Sequence, residues 1–123
     1  MMFKQVLLVA LGGAVGTALR FGVGQLFRTA PFPWATLLVN LAGCLAIGMI
    51  AAVCVRNAAF EQQWRLVLAT GICGGFTTYS AFSLELLSLL QQQKFWLFAL
   101  YLLVTVVGGL LASWLGYTLL RGA

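Results

Sequence analysis

Four stretches of this 123-residue chain, 5–19, 29–55, 66–84 and 95–120, contain no charged residue. Each can anchor a helix of about 20 residues, the length that crosses roughly 30 Å of hydrocarbon. With hydrophobic residues at 63%, charged residues at 7% and a mean hydropathy of +1.04, the chain lacks the charge that a water-facing surface needs. The spacing predicts an all-α membrane protein with four transmembrane helices, near 4–26, 34–55, 64–90 and 95–119, in one domain over 1–123. No run alternates with the period of two that a membrane barrel requires. Lys4 ahead of an apolar run resembles the start of a signal peptide, but further apolar segments follow directly, so a retained first span is expected. Pro31, Pro33, Asn57 and Gln91 to Gln93 mark short connectors.

The same composition removes several kinds of chemistry. The chain has no histidine, and its only acids are Glu61 and Glu85. Histidine-based catalysis is thereby excluded, two acids argue against carboxylate dyads and multi-carboxylate metal sites, and no enzyme is expected. Cys44, Cys54 and Cys73 lie in apolar segments without metal or redox spacing, and read as small core hydrophobes. The net charge of +5 is scattered at helix ends with no basic cluster, which suits membrane lipid and argues against nucleic acid. Lys4, Arg56, Arg65 and Arg121 belong to the face with both termini; Arg20, Arg28 and Lys94 belong to the other. So even a division gives little bias under the positive-inside rule, and both orientations in one membrane are physically reasonable.

Polar residues inside the spans carry the functional signal. In the run from Gly71 to Ser83, three glycines and five hydroxyl-bearing residues interrupt an apolar span. Irregular backbone survives at membrane depth only inside protein or beside a polar cavity, and a broken helix points to an ion or substrate site. Tyr79 and Phe82 are three apart and share a helix face, with Thr78, Ser80 and Ser83 around them. Asn40 is the one strong polar group of the second span, with Thr36 one turn earlier. It serves either as a helix–helix hydrogen bond or as an amide donor to a polar pathway, and the absence of a nearby carboxylate favours the donor. On the fourth span Tyr101, Thr105, Gly109, Ser113 and Gly116 fall on one face, suited to close packing, with hydroxyls that can line a polar track. Arg20 continues the spacing of Gly12 and Gly16, about 24 Å along the first helix at 1.5 Å per residue. Two readings stay open for it, a snorkelling anchor and the cation of an anion-attracting vestibule. Hydroxyl donors, one amide and the positive edges of aromatic rings suit a small anion better than a cation.

At these residues the chain resembles the Fluc (CrcB) family of fluoride channels. The likeness covers nearly the whole length: a Gly-rich first helix ending at Arg20, TLLVNLAG from Thr36 to Gly43, and GGFTTYSAFSLE from Gly74 to Glu85. The last is close to the family pattern GG-x-(T/S)TFSTFS-x-E. The resemblance implies a passive fluoride channel in the bacterial plasma (inner) membrane, assembled as an antiparallel, dual-topology homodimer with two pores. It implies a third helix broken at the Gly/Thr-rich segment, and a structural Na⁺ at the dimer centre held by the backbone carbonyls of Gly74 and Thr77. The fluoride pathway carried over by position is Thr36, Asn40, Tyr79, Ser80, Phe82, Ser83, Tyr101 and Ser113, with Arg20 in the vestibule.

Three positions depart from the family pattern. Tyr79 replaces the first Phe of a pair, Ala81 stands where the family often has Thr, and Gly109 where it often has Ser. A small dual-topology proton-coupled multidrug exporter is the alternative, but that class needs a carboxylate in the first helix, and this first helix has none. A non-transporting subunit would account for the glycines and not for the hydroxyl run with Asn40.

Overall fold

The computed structural model describes residues 2–121, so the ends of the expected 1–123 domain, residues 1, 122 and 123, lie outside the described residues. Helix α1 spans Met2–Leu26, α2 Trp34–Arg56 and α3 Ala58–Arg65. A π-helical stretch, Leu66–Cys73, continues α3 into the single turn α4, Gly74–Phe76. Then come α5, Tyr79–Gln91, and α6, Phe95–Arg121. Four helical segments are long and apolar enough to cross a membrane, the third running over Ala58–Gln91, and no strand occurs among the described residues.

Local chemistry explains the ends. The α1–α2 connector turns through the bonds Phe27 N–H to Gly24 O (3.2 Å) and Ala30 N–H to Phe27 O (3.0 Å). Pro31 and Pro33, which lack an amide donor, follow and keep the helix from continuing. The third span begins at Ala58 rather than near 64. Asn57 caps it by accepting the Phe60 amide at 3.0 Å, and Glu61 and Arg65 pair one turn apart at 2.9 Å. Asn57 and Glu61, which precede the helix expected from 64, therefore extend it past its apolar section. At the other end, Lys94 N–H bonds Leu89 O and Gln93 N–H bonds Leu90 O. This pattern closes a helix with one left-handed residue, here Gln93 at φ 59°.

Glycine organises the packing into two helix pairs. Where α1 crosses the third span, a Cβ on Gly12 would lie 2.7 Å from the Val67 carbonyl oxygen, and one on Gly75 2.5 Å from that of Gly13. A Cβ on Gly16 would collide with the Ile72 carbonyl. Along α2 and α6, Gly48 faces the Ser113 carbonyl and Gly116 the Leu45 carbonyl with equally little room. Lipid offers no hydrophobic drive between helices, so backbone proximity and dispersion must hold these pairs. A cluster of Leu37, Phe82, Leu89 and Tyr101 joins α2, α5 and α6, bordered by Phe32, Leu41 and Leu86. Large apolar side chains such as Leu7, Leu11 and Val15 on α1 and Leu103, Leu110 and Trp114 on α6 point outward, as a lipid-facing surface requires.

Candidate functional site

The third span loses its helix at Thr77 and Thr78. Thr77 has φ −85° and ψ 158°, and Thr78 has φ −151° and ψ 124°. Both are β-branched, which suits extended backbone. Gly74, at φ −62° and ψ −38°, stays helical, so the glycines here admit α1 and the threonines make the interruption.

Every backbone group at such an interruption needs a partner, and side chains from two other helices supply several. The Asn40 amide grips Thr78 from both sides: Nδ2 donates to Thr78 O at 3.1 Å, and Oδ1 accepts the Thr78 amide at 2.8 Å. Arg20 Nε donates to Gly75 O at 3.3 Å. The Thr77 amide and hydroxyl both donate to Cys73 O, at 3.0 and 2.9 Å. Thr78 Oγ1 caps α5 by accepting the Ala81 amide at 3.2 Å, and lies 3.3 Å from Ser80 Oγ. In an unbroken helix the Thr78 amide would serve Gly74 O, and the Ala81 amide would serve Thr77 O. Here those two amides donate to Asn40 and to the Thr78 hydroxyl instead, so the carbonyls of Gly74 and Thr77 lose their helical donors. No group of three or more His, Cys, Asp or Glu side chains could hold a metal among the described residues. A hard cation at the break would depend on such carbonyls, and the donor set fits that demand.

A second polar cluster surrounds Glu85. Thr36 Oγ1 donates to Glu85 Oε2 at 2.9 Å, and the Tyr101 hydroxyl donates to Oε1 at 2.8 Å. The Tyr101 side chain is fully buried. Its ring meets Phe82 edge-on at 5.0 Å and Phe32 edge-on at 5.4 Å. Glu85 sits six residues before the end of α5, about 9 Å along the helix. Glu85 is absent from the site residues expected from the sequence. The signal was available, because an ionisable residue well inside a span is a functional candidate by default.

Two cavities flank the break. The first, about 460 Å³, is lined by Arg20, Gln25, Arg28, Thr36, Thr78 and Glu85, among others. The second, about 390 Å³, includes Asn40, Thr77, Thr78, Tyr79, Phe82 and Thr105 in its wall. Thr78 lines both, so the residue that Asn40 grips is the partition between them. The Thr105 hydroxyl oxygen, in the wall of the second cavity, is buried and has no hydrogen-bond partner.

The residues singled out in the sequence fall into distinct groups. Arg20 and Thr36 line the first cavity, and Asn40, Tyr79 and Phe82 the second. Gly74 and Thr77 also line the second. Tyr101 reaches the first cavity through Glu85. Tyr79 is 80% exposed, with its ring 6.2 Å from that of Phe82. Ser80 and Ser83 are exposed and line neither cavity, and nor does Ser113. Ser113 lies twelve residues beyond Tyr101 on α6, about 18 Å along the helix axis. Its backbone forms the seam with Gly48.

Comparison with known proteins agrees with this architecture. The family described as CrcB-like protein, Camphor Resistance (CrcB), matches residues 7–117. A relative from Chlorobium phaeobacteroides (strain BS1) is 43% identical over 121 residues, covering 97% of this chain and 94% of the relative. One from Methylobacillus flagellatus is 44% identical over 121 residues, covering 95% and 94%. One from Hyphomonas neptunium is 45% identical over 119 residues, covering 94% of each. All three are named fluoride-specific ion channel FluC. On these matches across nearly its whole length, the chain belongs to the CrcB family.

Proposed function

We propose that this chain is a fluoride-selective passive channel of the bacterial inner membrane that lets cytoplasmic fluoride leave the cell. The observation that carries the reading is the partition at Thr78. Two cavities meet at a residue gripped by Asn40, with Arg20 in the wall of one and Tyr79 and Phe82 in the wall of the other. Fluoride is small and strongly hydrated, so losing its water requires several good donors in compensation. Asn40 commits one amide hydrogen to Thr78 O and keeps a second for an ion. The Thr105 hydroxyl, buried in the wall of the same cavity, has no partner, and Ser80 and Ser83 offer donors along α5. Donors without a fixed full charge in the narrow part let the ion bind and also leave. Tyr79 adds a hydroxyl where the family pattern has only a ring.

The reading includes an antiparallel, dual-topology homodimer with two pores. The exposed Tyr79 ring beside the break supports a partner on that face, and the nearly even Lys/Arg division supports insertion both ways. It also includes a structural Na⁺ between the two breaks, held by Gly74 and Thr77 carbonyls. The redirected amides of Thr78 and Ala81 support this donor pair. When bound, the ion would neutralise carbonyl dipoles that have no helical donors. The exporter alternative gains nothing from the geometry, because α1 carries no acid and Glu85, in the third span, is held by two hydroxyls. Purified protein in liposomes is expected to discharge a fluoride gradient and to leave an equal chloride gradient standing. Leakage of both ions, or of neither, would refute the channel.

A further inference from the structure

Cys44 and Cys73 come from different helices, and both line the second cavity. Cys73 is 7% exposed, and its backbone carbonyl is committed to Thr77. Cys44 reaches toward α6, where its sulfur lies 3.3 Å from the place a Cβ on Gly109 would occupy. The thiol thus fills space that the missing side chain at 109 leaves open. A Cβ on Gly43, the neighbour of Cys44, would collide with the Thr77 side chain, and Thr77 bonds back one turn to Cys73 O, so the two cysteines come from adjoining turns of facing helices. Neither forms a disulfide, and the third cysteine, Cys54, lines a separate cavity with Glu61 and Arg65.

A pair of thiols in an apolar wall excludes most metals. Hard ions want several oxygens, and structural zinc wants four N or S ligands. Among the described residues no third His, Cys, Asp or Glu joins these two. What remains is a soft ion content with two sulfurs. We propose that Cys44 and Cys73 form a dithiol site for a soft two-coordinate ion of the Cu(I), Ag(I) or Hg(II) class. With mercuric chloride, two S–H bonds break and two S–Hg bonds form. Two protons and two chlorides leave, and no electron is transferred. The neutral chloride can enter from the bilayer. Because Asn40, Tyr79 and Phe82 share this cavity, metal here also obstructs fluoride if the channel reading holds, whereas metal binding itself does not rest on that reading.

The test is intact mass measurement on the full-length protein after one equivalent of mercuric chloride per chain, followed by alkylation of the remaining thiols in denaturant. The wild-type chain is expected to carry one mercury without chloride and to alkylate only at Cys54. Cys54→Ser should bind as the wild type does. Cys44→Ser and Cys73→Ser should each lose about a hundredfold in resistance to a competing monothiol, because a two-point attachment becomes one. A mercury that keeps a chloride, a mercury bridging two chains, or retention unchanged in either single variant would overturn the site. The adduct composition of the wild type decides the question even if a variant fails to fold. Fluoride flux in the same liposomes, stopped by mercury in Cys54→Ser and spared in Cys44→Ser, would locate the metal in the ion path. Metal bound without block would count against the channel reading alone.

Discussion

The two halves of the third span meet their neighbours in opposite ways. From Ala58 to Phe76 the backbone is continuously helical, and contact with α1 rests on missing side chains at Gly71 and Gly75. At Thr77 and Thr78 the helical pattern stops, and the backbone around the break borrows side chains: Asn40 from α2 on Thr78, Arg20 from α1 on Gly75 O, and the Thr78 hydroxyl on the Ala81 amide. The first half tolerates no added atoms, while the second tolerates no loss of donors. A membrane chain can therefore place irregular backbone at depth when neighbouring helices supply the hydrogen bonds that water would have supplied.

The largest effect is expected where backbones touch. Gly16→Leu forces α1 away from Ile72 and should cost about 3 kcal/mol or more, beyond the ordinary range for overpacking, because carbonyl atoms cannot move aside. Gly22, with nothing within 4 Å of a would-be Cβ, is the control, and Gly22→Ala should be neutral or stabilising. Reversible unfolding in mixed micelles measures both, and equal losses would dissolve the contrast between packed and open glycines.

Asn40→Asp tests the second half. It replaces the donor to Thr78 O with an acceptor while keeping the acceptor for the Thr78 amide. Fluoride flux should fall about a hundredfold or more, since an unpaired carbonyl and a charge cost roughly 3 kcal/mol at depth. The folded assembly should persist on gel filtration. Full flux in this variant would place the ion path elsewhere.

A smaller effect is expected at the Glu85 cluster. Tyr101→Phe removes one of two bonds to a carboxylate, worth about 1.5–3 kcal/mol. A double-mutant cycle with Thr36→Val should show coupling, because both hydroxyls hold the same carboxylate. Additive losses would mean that each acts independently. The smallest change is Gln93→Gly. A left-handed residue with a Cβ costs about 1 kcal/mol, so glycine should stabilise the α5–α6 turn by that amount without altering flux.

The spans were legible in the sequence because a bilayer demands long uncharged runs, and few other structures contain them. The glycine faces were legible for the same reason: small residues at steps of four on Gly12 and Gly16 suit close contact in lipid. The start at Ala58 was hidden by local chemistry, since Asn57 and Glu61 resemble a connector until the cap and the pairing with Arg65 form. Glu85 was hidden by position. Its partners lie 49 and 16 residues away, and no local pattern marks Thr36 or Tyr101 as hydroxyls aimed at a carboxylate. The family likeness ranked the polar residues, and the geometry sorted them into cavity walls, an outward α5 face and the seam at Ser113.

By itself the sequence determined that this chain belongs in a membrane, as four helices with glycine-rich faces on the first and fourth and a polar interruption in the third. Hydropathy and side-chain size are properties of each residue, so a linear reading reaches them. Tertiary structure decided where the interruption falls and what repairs it. The run from Gly71 to Ser83 offered many breaking points. Thr77 and Thr78 became the break because Asn40 and Arg20 arrive from other helices with the donors that an open backbone needs.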